Sequence, residues 1–557
     1  MNFVLHSLIF LPYIKGMATP YFSKFKSAPK FAAPVPVTCK LPTPSVYTQA
    51  VLDWSINSNS HAIVNAVAGS GKSTLLLSLA KQSAGTGMVL SFGNKISKEM
   101  QGKLTYLGIL NFKSSTFHSA GKGIVERGSR FMKPESFKVN ECFKSLYSHI
   151  KGAEFVESFI VRLVSLAKDS AFGVTDCPAI REPQAWKDLI FHHALTLDSE
   201  DIMEDEAISM AMSTLEENNR VRHVIDFGDM IYFPILFNLE FPKIAWLFVD
   251  EAQDLNVARQ IFAARYIEAG ARALFVGDPM QAIMGFSGAD VDSMENIKTR
   301  FDCAEFPLSV CYRCDQSIVE IAASIVPQIK AREGAGEGEV STVTFDELTS
   351  DIPSYGFSET DGIICRNNAP LVPLAYRLIR HGVICKIEGK NSIGADLIRL
   401  TYKWKDNGIN KFIERFEQYI QKEIIKAEES KKLPRVGMLE DQLDCMRAFV
   451  DRCRDLGITQ VVSKEKGDTA SLQGVINDLF CNLESGEEKK TLILSSIHKS
   501  KGLEFDRCFV LGKDQYMPSK YAIRDWQLVQ EKCLEYVAVT RAKTALVWVS
   551  DIPARKQ

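Results

Sequence analysis

The sequence has no surplus of charge of either sign, no long apolar run and no repeated metal-ligand pattern, and each absence removes a class of protein. Lysine plus arginine number 66 against 68 aspartate plus glutamate, a net charge of −2. The field of the whole molecule therefore cannot hold a polyanion, and any such contact must come from local basic or aromatic surfaces. The apolar stretch from Phe3 to Ile14 contains His6 and Pro12, follows no basic region and is too short to span a bilayer. Secretion and membrane residence are not expected. The 13 cysteines are odd in number and irregularly spaced, which reads as reduced thiols in a cytosolic-type compartment. Cys311 and Cys314 alone have metal-like spacing. No second pair accompanies them, and a closed zinc or iron-sulfur site needs about four ligands.

Acidic residues are missing before Asp53, where seven prolines and Lys15, Lys24, Lys26, Lys30 and Lys40 stand instead. Residues 1–45 read as a flexible, basic, proline-rich leader. Met17 is an alternative start, and the first sixteen residues are not expected to be natively folded. At 557 residues, with 46% hydrophobic and 24% charged content, the chain is an ordinary globular protein of roughly four structural units.

What is present begins with Ala62-Ile63-Val64, which runs through Asn65-Ala66-Val67-Ala68 into Gly69-Ser70-Gly71-Lys72-Ser73-Thr74 and then Leu75-Leu76-Leu77. This is the pattern strand, phosphate loop, helix. Glycines let successive N–H groups curl around an anion, Lys72 reaches the outer phosphates and Ser73 ligates magnesium. Ala66 stands where the first glycine of such loops is usual. A second apolar strand pattern, Ile244 to Val249, ends in Asp250-Glu251-Ala252-Gln253-Asp254. A carboxylate at such a strand end holds magnesium and its neighbour activates water, so Asp250 is the expected metal ligand and Glu251 the expected base. A third strand, Ala271 to Val276, leads to Gly277-Asp278-Pro279-Met280-Gln281, which makes Gln281 the candidate sensor of the terminal phosphate.

With these three elements in order, the chain resembles the superfamily 1 helicases of the UvrD, Rep and PcrA type, including their shorter viral and Fbh-like relatives. Further segments carry the resemblance from about Tyr47 to Val549: Tyr47-Thr48-Gln49, Ser91-Phe92-Gly93-Asn94-Lys95, Thr116-Phe117-His118 and Asp226-Phe227-Gly228-Asp229. It continues through Tyr312-Arg313, Ile497-His498-Lys499-Ser500-Lys501-Gly502-Leu503-Glu504-Phe505 and Glu535-Tyr536-Val537-Ala538-Val539-Thr540-Arg541-Ala542. The resemblance implies that Gln49 and Tyr312 hold adenine, that Glu504 meets the ribose, and that Arg313 and Arg541 touch the terminal phosphate. It implies strand contacts by Phe92, Asn94, Phe117, His118, Phe286 and His498. Around Phe286 the chain departs from the bacterial pattern, with Met284 and Ser287 where those relatives carry Tyr and Arg.

The expected architecture is α/β, two RecA-like parallel-sheet domains, each with a mostly helical insertion. The first domain takes residues 46–120 and 225–302 around an insertion at 121–224. The second takes 303–390 and 491–557 around an insertion at 391–490, whose charged run Lys422 to Arg435 reads as a solvated helix face. The expected activity is ATP- and magnesium-dependent helicase action on single-stranded and tailed duplex DNA, by resemblance 3′ to 5′, in repair, recombination or replication. A loading or recombination protein is an expected partner, and the cytoplasm or another DNA compartment the expected location. A non-unwinding ATPase that remodels protein-DNA complexes and an RNA-directed motor are the alternatives.

Overall fold

The computed structural model describes residues 41–553 apart from 129–132, 175–178, 194, 198, 200, 284–291, 369, 389–391, 405–407, 430–432, 463–469, 481–490, 520, 521 and 523. Residues 1–40 of the expected leader at 1–45 lie outside them.

Two six-stranded sheets, parallel throughout, organise the chain. The first contains β1 (Ala62–Ala66), β2 (Gly87–Ser91), β3 (Phe112–Thr116), β4 (Trp246–Asp250), β5 (Arg272–Gly277) and β6 (Ala304–Leu308), in the spatial order β3-β2-β4-β5-β1-β6. Burial on both faces explains why β4 and β5 read as continuous apolar runs. The register aligns Asn65 with Gly277 and Val276 with Asp250, so the ends of β1, β5 and β4 come level at one sheet edge. Parallel strands bring all their carboxyl ends to that edge, where ligands of such sheets bind.

One boundary is corrected. Ala304–Leu308, expected in the second domain, pairs along its whole length with β1 and completes the first sheet. The helix Ser293–Arg300 provides the crossover that returns the chain parallel to β1. At the other end of the chain segment, Arg272 fixes the helix Val46–Asn57 to this sheet. Its guanidinium donates to the carbonyls of Trp54, Ser55 and Ser60 and lies 4.1 Å from the Trp54 ring centroid.

The second sheet contains β7 (Glu339–Thr344), β8 (Gly362–Cys365), β9 (Cys385–Ile387), β10 (Leu492–Ser496), β11 (Phe505–Leu511) and β12 (Ala542–Ser550), in the order β7-β12-β11-β8-β10-β9. Each sheet is interrupted by helices. Between β3 and β4 stand Lys138–Tyr147, Ala153–Asp169, Pro183–His192 and Glu204–Arg220. In Ala153–Asp169 the buried Val156, Ile160, Leu163, Val164 and Ala167 recur at helical spacing and join one core with Phe233, Phe262 and Phe275 of the first sheet's layers. Between β9 and β10 stand Ser392–Thr401, Ile409–Glu429, Leu433–Asp455 and Leu472–Phe480. Among the described residues no helix is long and apolar enough to cross a membrane.

Candidate nucleotide and nucleic-acid sites

β1 runs into the phosphate loop, and the loop runs into the helix Lys72–Gln82. Gly69 and Gly71 hold φ of +67° and +86°, values a side chain resists. A Cβ on Gly69 would also approach Arg313 Cβ to 2.7 Å and Cys311 Sγ to 2.9 Å. Ser70 Oγ is buried without a hydrogen-bond partner, so the loop retains unused donor capacity beside a helix N-terminus. Ser73 and Thr74 are half-buried in the first turn of that helix.

Lys72 Nζ lies 2.9 Å from Glu251 Oε1. Burial opposes the lysine's charge, but Glu251, Asp250 and Asp278 outweigh it and hold the ammonium above its ordinary pKa. Asp250 ends β4 in the core, and its carboxyl rises to about 6 through burial and the neighbouring Glu251. Burial pushes Glu251 upward too, yet Lys72, Lys501 and the Gln253 amide bring it down to about 2. The two adjacent acids are thus driven apart, with Glu251 firmly ionised. Glu251 has φ +54°, a strained value for a non-glycine residue, and Gln253 Nε2 donates to it at 2.6 Å. Gln281 is buried and donates through Nε2 to Asp278 Oδ2 at 2.7 Å.

Groups from the second sheet reach this cluster. Lys501 lies 2.5 Å from Asp254 Oδ2 and donates to the Gln281 carbonyl at 2.8 Å. The Tyr536 hydroxyl, fully buried, accepts from Ala68 N at 2.9 Å. Tyr312 N donates to the Gly69 carbonyl at 2.9 Å while its ring stays half exposed. Gln253, Asp254, Lys501 and Tyr536 were not among the expected site residues. All four stand inside the segments that carried the resemblance, and that position was the available signal.

The two arginines differ. Arg313 pairs with Glu504 at 2.5 Å and donates to the Thr540 carbonyl at 3.0 Å, with Nε unpartnered. Arg541 is 1% exposed and points into its own domain, donating to the carbonyls of Val537 and Leu503 at 3.0 and 2.9 Å. Burial and the nearby Arg313 lower its pKa to about 10. In this conformation Arg541 ties the loop before β11 to the helix Asp525–Val539. Gln49 is exposed and donates through Nε2 to Asp53 Oδ1 at 2.7 Å.

Among the expected strand contacts, Phe117 is corrected: it is 2% exposed and stacks edge-on against Phe262 within the core. Thr116-Phe117-His118 turns one ring inward and the next outward. His118 packs against Phe227 with ring centroids 4.4 Å apart and planes tilted by 43°, and Phe227 is 62% exposed. Half-buried Phe92 lies 4.9 Å from the Arg259 guanidinium, while Asn94 is exposed at the start of the helix Asn94–Tyr106. Burial and Arg259 lower His118 to about 4, so it is neutral near pH 7. Half-buried His498 is likewise lowered to about 4 by burial and by Arg366, which clasps Glu531 with Nη2 at 2.7 Å. Phe286, Met284 and Ser287 lie outside the described residues.

A phosphate loop, a paired acidic strand end and a second parallel sheet whose Tyr536 hydroxyl reaches the one and whose Lys501 reaches the other define a two-domain phosphate-loop ATPase. Residues 127–551 match the UvrD-like helicase C-terminal domain, and the chain belongs to the UvrD-like helicase family. It is similar to the probable DNA helicase II homolog of Mycoplasma pneumoniae, 22% identical over 88% of this chain and 81% of the relative. It is also similar to the ATP-dependent DNA helicase UvrD1 of Mycobacterium tuberculosis, 24% identical over 60% of this chain and 48% of the relative. The ATP-dependent DNA helicase srs2 of Schizosaccharomyces pombe is 25% identical over 38% of this chain and 24% of the relative.

Proposed function

We propose that this chain is an ATP-driven motor that travels 3′ to 5′ along single-stranded DNA and separates duplexes, serving repair, recombination or replication. The observation that carries the reading is the meeting of two sheets at one acidic phosphate loop: Lys72 pairs with Glu251 at 2.9 Å, and Lys501 of the other sheet pairs with Asp254 at 2.5 Å. A nucleotide held there touches both halves, so its arrival and loss can change their contact.

The loop's N–H groups at Gly69 and from Gly71 to Thr74 and the unpartnered Ser70 hydroxyl suit an oxyanion, while the Ala68 and Ser70 N–H groups already donate to the Tyr536 hydroxyl and the Val67 carbonyl. Ser73 and Asp250 are oxygen donors of the kind a hard cation selects, and magnesium bound there supplies charge neutralisation at the terminal phosphate. In our assignment Lys72 neutralises the outer phosphates, Glu251 takes the proton of the attacking water and Gln281 orients that water. Arg313, released from Glu504, stabilises charge on the transferred group, and Arg541 does so after leaving its carbonyl cage. Gln49 and Tyr312 hold the adenine and Glu504 the ribose. Phe92, Asn94, His118, Phe227 and His498 face the strand, aromatic surfaces that stack on bases without reading sequence. The motor domains take the limits read from the sequence, with Ala304–Leu308 moved to the first.

Turnover of ATP titrated with single-stranded oligonucleotide tests the reading. Saturable stimulation by DNA is expected; turnover indifferent to any nucleic acid would refute it.

A further inference from the structure

We propose that Cys311 and Cys314 are a redox site, at which a peroxide-class oxidant forms a reversible intrachain disulfide that restrains ATP turnover. The regulatory half rests on the ATP-site reading above; the disulfide itself does not.

The pair brackets Tyr312 and Arg313, the two side chains assigned to adenine and terminal phosphate. Both cysteines are buried and adjacent in the turn: Cys314 N donates to Cys311 Sγ at 3.4 Å, and the Cys314 thiol donates to the Thr540 carbonyl at 4.0 Å. A disulfide needs the sulfurs at about 2.05 Å with the Cα atoms within roughly 7 Å, a geometry that a spacing of three residues in one turn permits once the Cys314 thiol rotates from the Thr540 carbonyl toward Cys311. Chemistry selects Cys311. Burial raises the thiols of Cys142, Cys303, Cys365, Cys385, Cys453, Cys508 and Cys533. Cys311 falls to about 6, because the neighbouring Cys314, the backbone N–H groups of Cys314 and Arg313 and the Arg313 guanidinium favour its thiolate against burial. The thiolate is the nucleophile in thiol oxidation.

The reaction balances without further reagents. Cys311 thiolate attacks one peroxide oxygen, forming a sulfenic acid and releasing hydroxide; Cys314 sulfur then attacks the sulfenic sulfur and expels the second oxygen as water. Two thiols are oxidised to one disulfide, and hydrogen peroxide is reduced to two waters. Gly69 covers Cys311 Sγ from the phosphate loop, so access opens when the two halves part. Closing the sulfur gap draws in the turn that carries the Tyr312 N–H to Gly69 bond and the Arg313 contacts with Glu504 and Thr540.

The test treats the full chain with hydrogen peroxide, quenches it and digests it with trypsin without reductant. Trypsin cuts after Arg313, so the disulfide links peptide 301–313 to peptide 314–330, and fragmentation distinguishes Cys311 from Cys303. The linked pair is expected, lost on dithiothreitol treatment. DNA-stimulated turnover should fall about a hundredfold, the penalty of displacing a reacting group by ~1 Å, and return on reduction. Cys314→Ser and Cys311→Ser should each keep their turnover through peroxide treatment. Absence of the linked peptides, a link with unchanged turnover, or equal peroxide loss in both serine variants would overturn the proposal. A reduced protein without any ATP turnover would instead overturn the ATP-site reading, and the linked peptides would still decide the disulfide.

Discussion

Lys72 and Glu251 form one ion pair but are assigned different work, and substitution separates them. Lys72→Ala removes the cation that meets the outer phosphates and should abolish nucleotide binding, measured with a fluorescent ATP analogue. Glu251→Gln keeps the amide-sized side chain and should retain binding while turnover falls by about 10² to 10⁴, the range for a general base. Near-normal phosphate release by Glu251→Gln would remove it from that role. The two arginines should divide similarly. Arg313→Ala should lower turnover by roughly 10³ to 10⁵ with little change in stability. Arg541→Ala should also lower the unfolding midpoint, because its buried guanidinium serves several carbonyls and each such charged hydrogen bond is worth about 1.5 to 3 kcal/mol. The sequence made Lys72, Asp250 and Glu251 legible because loop and strand-end chemistry is local. It could not separate Phe117 from His118, since adjacent residues on one helix start face opposite ways and only the packing of Phe262 decides which is core.

At the scale of elements, one buried charge network holds the loop that bears the exposed Phe227 to the first insertion. Lys138 and Lys168 each approach Asp229, at 2.7 and 2.8 Å, and Lys168 also reaches Asp226 at 2.7 Å. These lysines stand on Lys138–Tyr147 and Ala153–Asp169. Breaking a buried ion pair by removing one partner costs about 3 to 5 kcal/mol, and Asp229→Ala should lose that much in denaturant unfolding. Burial pushes the Asp229 carboxyl up, but Lys168 and Lys138 hold it below its usual value. Its contribution is therefore complete above the unfolded carboxylate pKa of about 3.9 and fades as pH falls through the folded value. The stability gap between the parent and Asp229→Asn should narrow in acid. No local pattern announced this network, because its members are up to 91 residues apart. The strand Ala304–Leu308 is expected in the wrong domain for the same reason: its Ala-Glu-Phe-Pro-Leu sequence carries no sign of which sheet edge it joins.

For the whole molecule, the decisive contact is Lys501 with Asp254 and the Gln281 carbonyl, which joins the second sheet to the acidic end of the first. Lys501→Ala should weaken the coupling of DNA binding to ATP turnover more than it weakens either binding event alone, read as lost stimulation at saturating oligonucleotide. The central claim is that these two halves form a directional, ATP-driven motor on DNA. Strand separation of duplexes bearing either a 3′ or a 5′ single-stranded tail tests it most directly, with DNA and RNA substrates and with Glu251→Gln as the hydrolysis-deficient control. The account predicts ATP-dependent unwinding of the 3′-tailed DNA duplex, little with the 5′ tail and none with Glu251→Gln. Failure to separate any DNA duplex while ATP turnover is stimulated by single strands would contradict it.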